Sequence, residues 1–167
     1  PMAGTLELYM NTRWAGRDEE VRAYLVCTGG NQSPPGHLSL RLAGKPGRRR
    51  VYFTLYTQTA TLSAFHPLPP GSDSRWQHLA ALWSIDPDRP ENNRAELYLN
   101  GERAQAAEDA LRAAGRVEPT APLAFGNRPV GHRHQALPLF AIDEVRLYDR
   151  PIPPEAFSFD PVENSIP

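Results

Sequence analysis

The sequence predicts an all-β protein, a β-sandwich. Three observations predict it. Short runs alternate apolar and polar residues with period two, the mark of a half-buried strand. Turn-forming Gly, Pro, Asn and Asp punctuate those runs. The runs also succeed one another along the chain with one helix-like interruption, the rhythm of a sandwich rather than of βαβ units.

Taken in order, "TLELYM" sets Leu6, Leu8 and Met10 against Glu7 and Tyr9. "AYLVCT" is apolar on both faces, as in a central strand, with Cys27 as a small buried side chain. "HLSLRLA" sets Leu38, Leu40 and Leu42 against Ser39 and Arg41, and the basic "GKPGRRR" after it reads as a solvated hairpin tip. "RVYFTLYTQ" turns Val51, Phe53 and Leu55 one way and Tyr52, Thr54, Tyr56 and Gln58 the other. "ATLSAFH" and a proline-rich turn, "PLPPGSDSR", follow. "WQHLAALWSID" aligns Leu79, Ala81, Trp83 and Ile85. "AELYLNGER" aligns Leu97 and Leu99 and ends in Asn100-Gly101, a type I′ turn pair. Residues 104–115, alanine-rich and closed by Gly115, predict a short surface helix. "APLAFGN" returns to strand, and "RPVGHRHQALP" is a loop.

The closing strand, "FAIDEVRLYDRPIPPEAF", breaks its own alternation. Phe140 and Ile142 are even-numbered, Val145 and Leu147 odd, so the parity changes at Asp143-Glu144. A one-residue slip sends every side chain to the opposite face, and a β-bulge at the acidic pair restores a single buried face. Pro154 suits the first position of one helical turn.

At 167 residues the chain is expected to be one domain over 1–157 with a tail over 158–167. No apolar run approaches ~20 residues, so no membrane-spanning helix is expected. The net charge of -1 gives no global attraction for nucleic acid. A single cysteine allows no internal disulfide and does not indicate a compartment. The chain opens already in a strand and shows no signal peptide, which is expected of a piece of a longer protein.

"RWQHLAALWS", "AELYLNGERAQ" and "FAIDEVRLYDRPIPPEAF", in that order, resemble the laminin-G-like modules of the concanavalin A-like group. The motifs cover about Arg75 to Phe157, and the N-terminal half agrees in strand rhythm. The resemblance implies a two-sheet antiparallel jelly roll with a further N-terminal strand, which is expected to be missing before the "TLELYM" position. An open edge at Leu6 to Met10 is therefore expected, filled by the rest of a parent chain or by a partner strand. The resemblance also implies an extracellular or cell-surface setting of bacterial type.

Asp143 matches the family position that helps hold a structural calcium. Calcium takes 6–8 oxygens, so other ligands must join it; the alternative is a bulge acid bonded to a nearby amide. His132 and His134 lack a second His or Cys cluster and read as loop residues rather than zinc ligands. His78 matches the family's strand histidine and reads as structural. Glycan sites on this architecture use aromatic faces beside amides and hydroxyls, which singles out Tyr52, Thr54, Tyr56 and Gln58. Arg128, His132, Arg133 and His134 are candidates for a rim that binds a glycan or a surface protein.

The function expected is a non-catalytic recognition module of a larger protein, binding glycan or a protein partner. The alternative is an assembly domain whose open edge pairs with another chain. A glycan-cleaving enzyme ranks third, because cleavage needs paired carboxyls at a set spacing and Asp143-Glu144 are adjacent on one strand.

Overall fold

A computed structural model describes residues 3–12, 20–28, 37–57, 61–72, 75–86, 88–89, 92–106, 123–126 and 140–159. Its strands are β1 (Ala3–Thr12), β2 (Val21–Thr28), β3 (Leu38–Gly44), β4 (Arg50–Tyr56), β5 (Thr61–Pro67) and β6 (Trp76–Ser84). They continue as β7 (Arg94–Leu99), β8 (Glu102–Arg103), β9 (Gln105–Ala106), β10 (Leu123–Phe125) and β11 (Phe140–Tyr148). Among the described residues the first sheet runs β11-β1-β6-β7-β8 and the second β10-β2-β3-β4-β5-β9. Every pairing is antiparallel, and the two sheets form the β-sandwich that the alternation predicts, the two-sheet antiparallel jelly roll that the resemblance implies.

The core lies between the sheets and is built from the predicted faces: Leu6, Leu8 and Met10; Leu38, Leu40 and Leu42; Val51, Phe53 and Leu55; Leu79, Ala81 and Trp83; Leu97 and Leu99. Asn100 and Gly101 both have positive φ, 51° and 79°, as a type I′ turn requires. The Asn100 side chain accepts a bond from the His78 amide (2.9 Å) and donates to Gln77 Oε1 (2.7 Å), tying the turn to β6. The basic hairpin tip is an exposed turn closed by Arg48 N donating to Lys45 O at 2.9 Å. Pro154 opens a single 3-10 turn, Pro154–Ala156.

Three expectations change. The helix expected from 104 does not begin there, because Gln105–Ala106 is a strand paired with Phe65 and Ala64. Helix propensities differ by only tenths of a kcal/mol per residue, whereas this pairing satisfies backbone groups on the edge of β5. Residues 107–115 lie outside the described residues.

Leu6 to Met10 form no open edge, since β1 is paired on one side with β6 and on the other with β11. The closing strand itself occupies the place beside β1, and β11 is the sheet's edge among the described residues. The tail is also engaged at its start. Ser158 and Phe159 pack on the outer side of the first sheet, where Ser158 N donates to Glu7 Oε1 (2.9 Å) and the Phe159 ring lies 5.6 Å from that of His78.

The bulge stands where the parity break locates it. Glu7 faces Arg146 and Tyr9 faces Asp143, so two steps on β1 match three on β11. Glu144 takes the left-handed conformation, φ 49°, that absorbs the extra residue. Leu6 faces Leu147 and Met10 faces Ile142, which returns both apolar residues to the core side. At the sheet edge that side is open, and Val145 and Leu147 remain 41% and 61% exposed.

Candidate functional site

The two sheets differ in what covers their outer faces. On the first, the segment after β11 crosses back over β1, β6 and β7. The Thr5 hydroxyl donates to Arg150 O and accepts from Ile152 N, both at 3.0 Å. Phe157 packs on Tyr98, with ring centroids 5.1 Å apart, beside Ala80 and Leu82. Burial, followed by its bond to Glu96, pushes the Tyr98 hydroxyl up to about 12. Beneath this strap His78 Nε2 meets Glu7 Oε1 at 3.0 Å, both side chains wholly buried. This face is closed by its own chain, and His78 is structural there.

Among the described residues the second sheet is open over part of its outer face. Hairpin registers bring four residues from different strands into one row, Tyr24, Arg41, Tyr52 and Phe65. The neighbouring row on the same face is Arg22, Ala43, Arg50 and Pro67. The rings of Tyr52 and Phe65 lie 6.1 Å apart. The Arg41 guanidinium sits 4.9 Å above the Tyr52 ring and that of Arg50 4.8 Å above Phe65, both within cation–π range. Next to this ladder Arg50, Phe65, His66, Pro67 and Arg103 line a recess of about 310 Å³.

The tyrosine stripe on β4 divides along its length. Tyr52 belongs to the ladder. Thr54 is buried and accepts from the Ser63 hydroxyl at 3.3 Å. Tyr56, half-buried, packs against the His37 ring at 5.4 Å. Gln58, Arg128, His132, Arg133 and His134 lie outside the described residues. Alternation within β4 points to Tyr52, but Tyr24, Arg41, Arg50 and Phe65 join it only through cross-strand register, which the sequence does not print. The available signal was that each of them is the off-core residue of its own strand.

Asp143 is exposed, and its Oδ1 accepts from the Glu144 amide at 2.8 Å, pinning the bulge. Glu144 Oε2 accepts from Arg146 at 2.8 Å. Among the described residues no group of three or more His, Cys, Asp or Glu side chains is placed to hold a metal ion.

Among the described residues the fold is a two-sheet antiparallel sandwich, with one outer face covered by residues 150–159 and the other partly exposed. Residues 2–156 match the laminin-G-like family described as the Concanavalin A-like lectin/glucanases superfamily, and the chain belongs to that family. No curated protein matches the sequence. Among solved structures the chain is similar in fold to the botulinum neurotoxin serotype D binding domain, with TM-score 0.56, 10% identity, and coverage of 92% of this chain and 35% of that one. Two further similar structures are an alginate lyase (TM-score 0.42, 13% identity, 87% and 66% covered) and the CBM40 of a Ruminococcus gnavus IT-sialidase bound to alpha2,3 sialyllactose (TM-score 0.37, 14% identity, 75% and 72% covered). The chain thus spans about a third of the length of the neurotoxin domain. Among the described residues no helix is long and apolar enough to cross a membrane.

Proposed function

We propose that this chain is a non-catalytic recognition module of a larger protein and that it binds glycan on the open face of the second sheet. The observation that carries the reading is the row Tyr24, Arg41, Tyr52 and Phe65, which sets aromatic rings and guanidinium edges side by side. A sugar ring presents an apolar C–H face and a rim of hydroxyls, and such a row meets both. Membership of a lectin and glucanase superfamily supports it. The non-catalytic part is supported by the composition of the face. Glycoside cleavage employs a pair of carboxyl groups, and the two rows contain none. An extracellular or cell-surface setting belongs to the same proposal.

The test is a glycan microarray followed by titration of the best-bound glycan. Tyr52→Ala is expected to weaken binding roughly thirtyfold, the ~2 kcal/mol of an aromatic hot spot, with the thermal melt nearly unchanged because Tyr52 is only half-buried. Equal binding by the variant, or no glycan bound by the wild type, overturns the reading.

One observation favours a second reading. Among the described residues β11 is an edge strand bearing exposed Val145 and Leu147, features that suit pairing with another chain. The recognition reading expects wild type and Leu147→Lys both to run as monomers in light scattering over a range of concentrations. A wild-type dimer split by Leu147→Lys favours assembly instead.

A further inference from the structure

We infer that the glycan carries an anionic group, a carboxylate or a sulfate, received by Arg41 and Arg50; this rests on the reading of the open face as a glycan site. Arg41 faces Tyr52 and Arg50 lies two residues before Tyr52, so the two arginines are diagonal neighbours on adjacent strands. Such neighbours are roughly 7–8 Å apart at the backbone, close enough for one group between them to reach both side chains.

The charge balance singles out this pair. Among the described residues the other arginines beside the face have carboxylate partners, Arg22 with Glu20 at 3.5 Å and Arg103 with Glu96 at 2.8 Å, and Glu102 lies 4.0 Å from His66 Nε2. Among the described residues no carboxylate pairs with Arg41 or Arg50. Both guanidiniums instead lie over rings. A ring beneath a guanidinium fixes its plane and leaves its N–H edges to other acceptors. That planar fork matches carboxylate and phosphate-like oxyanions by paired hydrogen bonds. The rows contain no acid that an incoming anion would have to displace.

The recess beside the ladder adds shape to charge. At about 310 Å³ it stands at the lower end of small-ligand pockets, a size for a single sugar unit rather than an extended chain. Arg50 and Phe65 both line the recess, so a sugar seated there packs beside the stacked pair and brings its substituent to the N–H edge of Arg50. A single-stranded nucleic acid also stacks on aromatic residues along a basic groove. The net charge of -1 and the two unmatched guanidiniums favour a ligand with few charges over a polyanionic strand.

The experiment is an array bearing neutral, carboxylated and sulfated glycans, with oligodeoxythymidylate as a further probe. It is read with wild type, Arg41→Gln, Arg50→Gln, and Arg94→Gln as a charge-matched control on the other sheet. The bound spots are expected to be carboxylated or sulfated, and the two classes of spot separate these sources. Arg41→Gln and Arg50→Gln should each weaken binding about tenfold or more, and Arg94→Gln should leave it unchanged. Three results overturn the inference: neutral glycans bound as well as charged ones, equal losses in all three variants, or oligodeoxythymidylate bound as well as glycan. Neutral binding that Tyr52→Ala still abolishes removes the anionic ligand and keeps the glycan site. Absence of any bound glycan removes both.

Discussion

Glu7→Ala is expected to lower the stability of the chain by about 3 kcal/mol or more, the cost of leaving several buried donors without the acceptor they share. Glu7 and His78 are wholly buried on the covered face of the first sheet. Glu7 Oε1 accepts from His78 Nε2 (3.0 Å), from Ser158 N (2.9 Å) and from the Ser158 hydroxyl (3.2 Å). Alanine would leave those donors buried without their acceptor. It would also loosen the strap at Ser158, which would keep only the bond its carbonyl accepts from the Tyr9 hydroxyl at 3.0 Å. Glu7→Gln keeps an acceptor oxygen and should cost less. Urea unfolding of the three proteins measures this, and a loss below about 1 kcal/mol in Glu7→Ala would show that the pair contributes little.

The same carboxylate sets an acid limit. Burial acts to raise the Glu7 carboxyl, but the bonds from His78 and Ser158 outweigh it and hold the group below its ordinary value of 4.5. A depressed folded value means that the stabilisation is complete above the ordinary glutamate range and is lost as pH falls through the folded value. Wild type should therefore lose stability on acidification below about pH 4.5, and Glu7→Gln should show a flatter profile over that window. Parallel profiles would place the acid sensitivity elsewhere.

What was legible in the sequence follows the range of each interaction. Alternation is local, so the core faces of β1, β3, β4, β6 and β7 were readable, and the parity break at Asp143-Glu144 located the bulge before any pairing was known. Exposure is not local. Val145 and Leu147 lie on the core side of β11 and still meet solvent, because a strand at the edge has less sheet above it. The strap is harder still to read. Ser158 and Glu7 are 151 positions apart, and nothing near either one announces the other. Glu7 and Tyr9 therefore read as the solvent face of β1, whereas residues 150–159 cover that face. The ladder lies between these cases: each strand's parity was visible, and only the registers of four strands turn four separate residues into one row.

Gly4→Ala is expected to cost about 3 kcal/mol, the upper end for overpacking a well-filled core. Gly4 is the direct cross-strand partner of Trp83, on the face of β1 that carries Leu6, Leu8 and Met10 into the core. A Cβ there would come within 2.8 Å of Trp83 Cη2 and 2.9 Å of Cε2, and closer still to Cζ2. An aromatic ring cannot bend away as a lysine tip would, and its retreat is blocked. The Trp83 ring lies 6.2 Å from that of Phe53, which is wholly buried in the opposite sheet. The glycine is therefore required by the space the indole fills and not by backbone conformation. Trp83→Leu is expected to be destabilising alone, yet it removes the atoms the new methyl would strike. In a double-mutant cycle, Gly4→Ala should cost at least about 1 kcal/mol less in the Trp83→Leu background than in wild type. Strict additivity would mean that the indole is not what excludes a side chain at position 4, and that the cost arises in the backbone of β1.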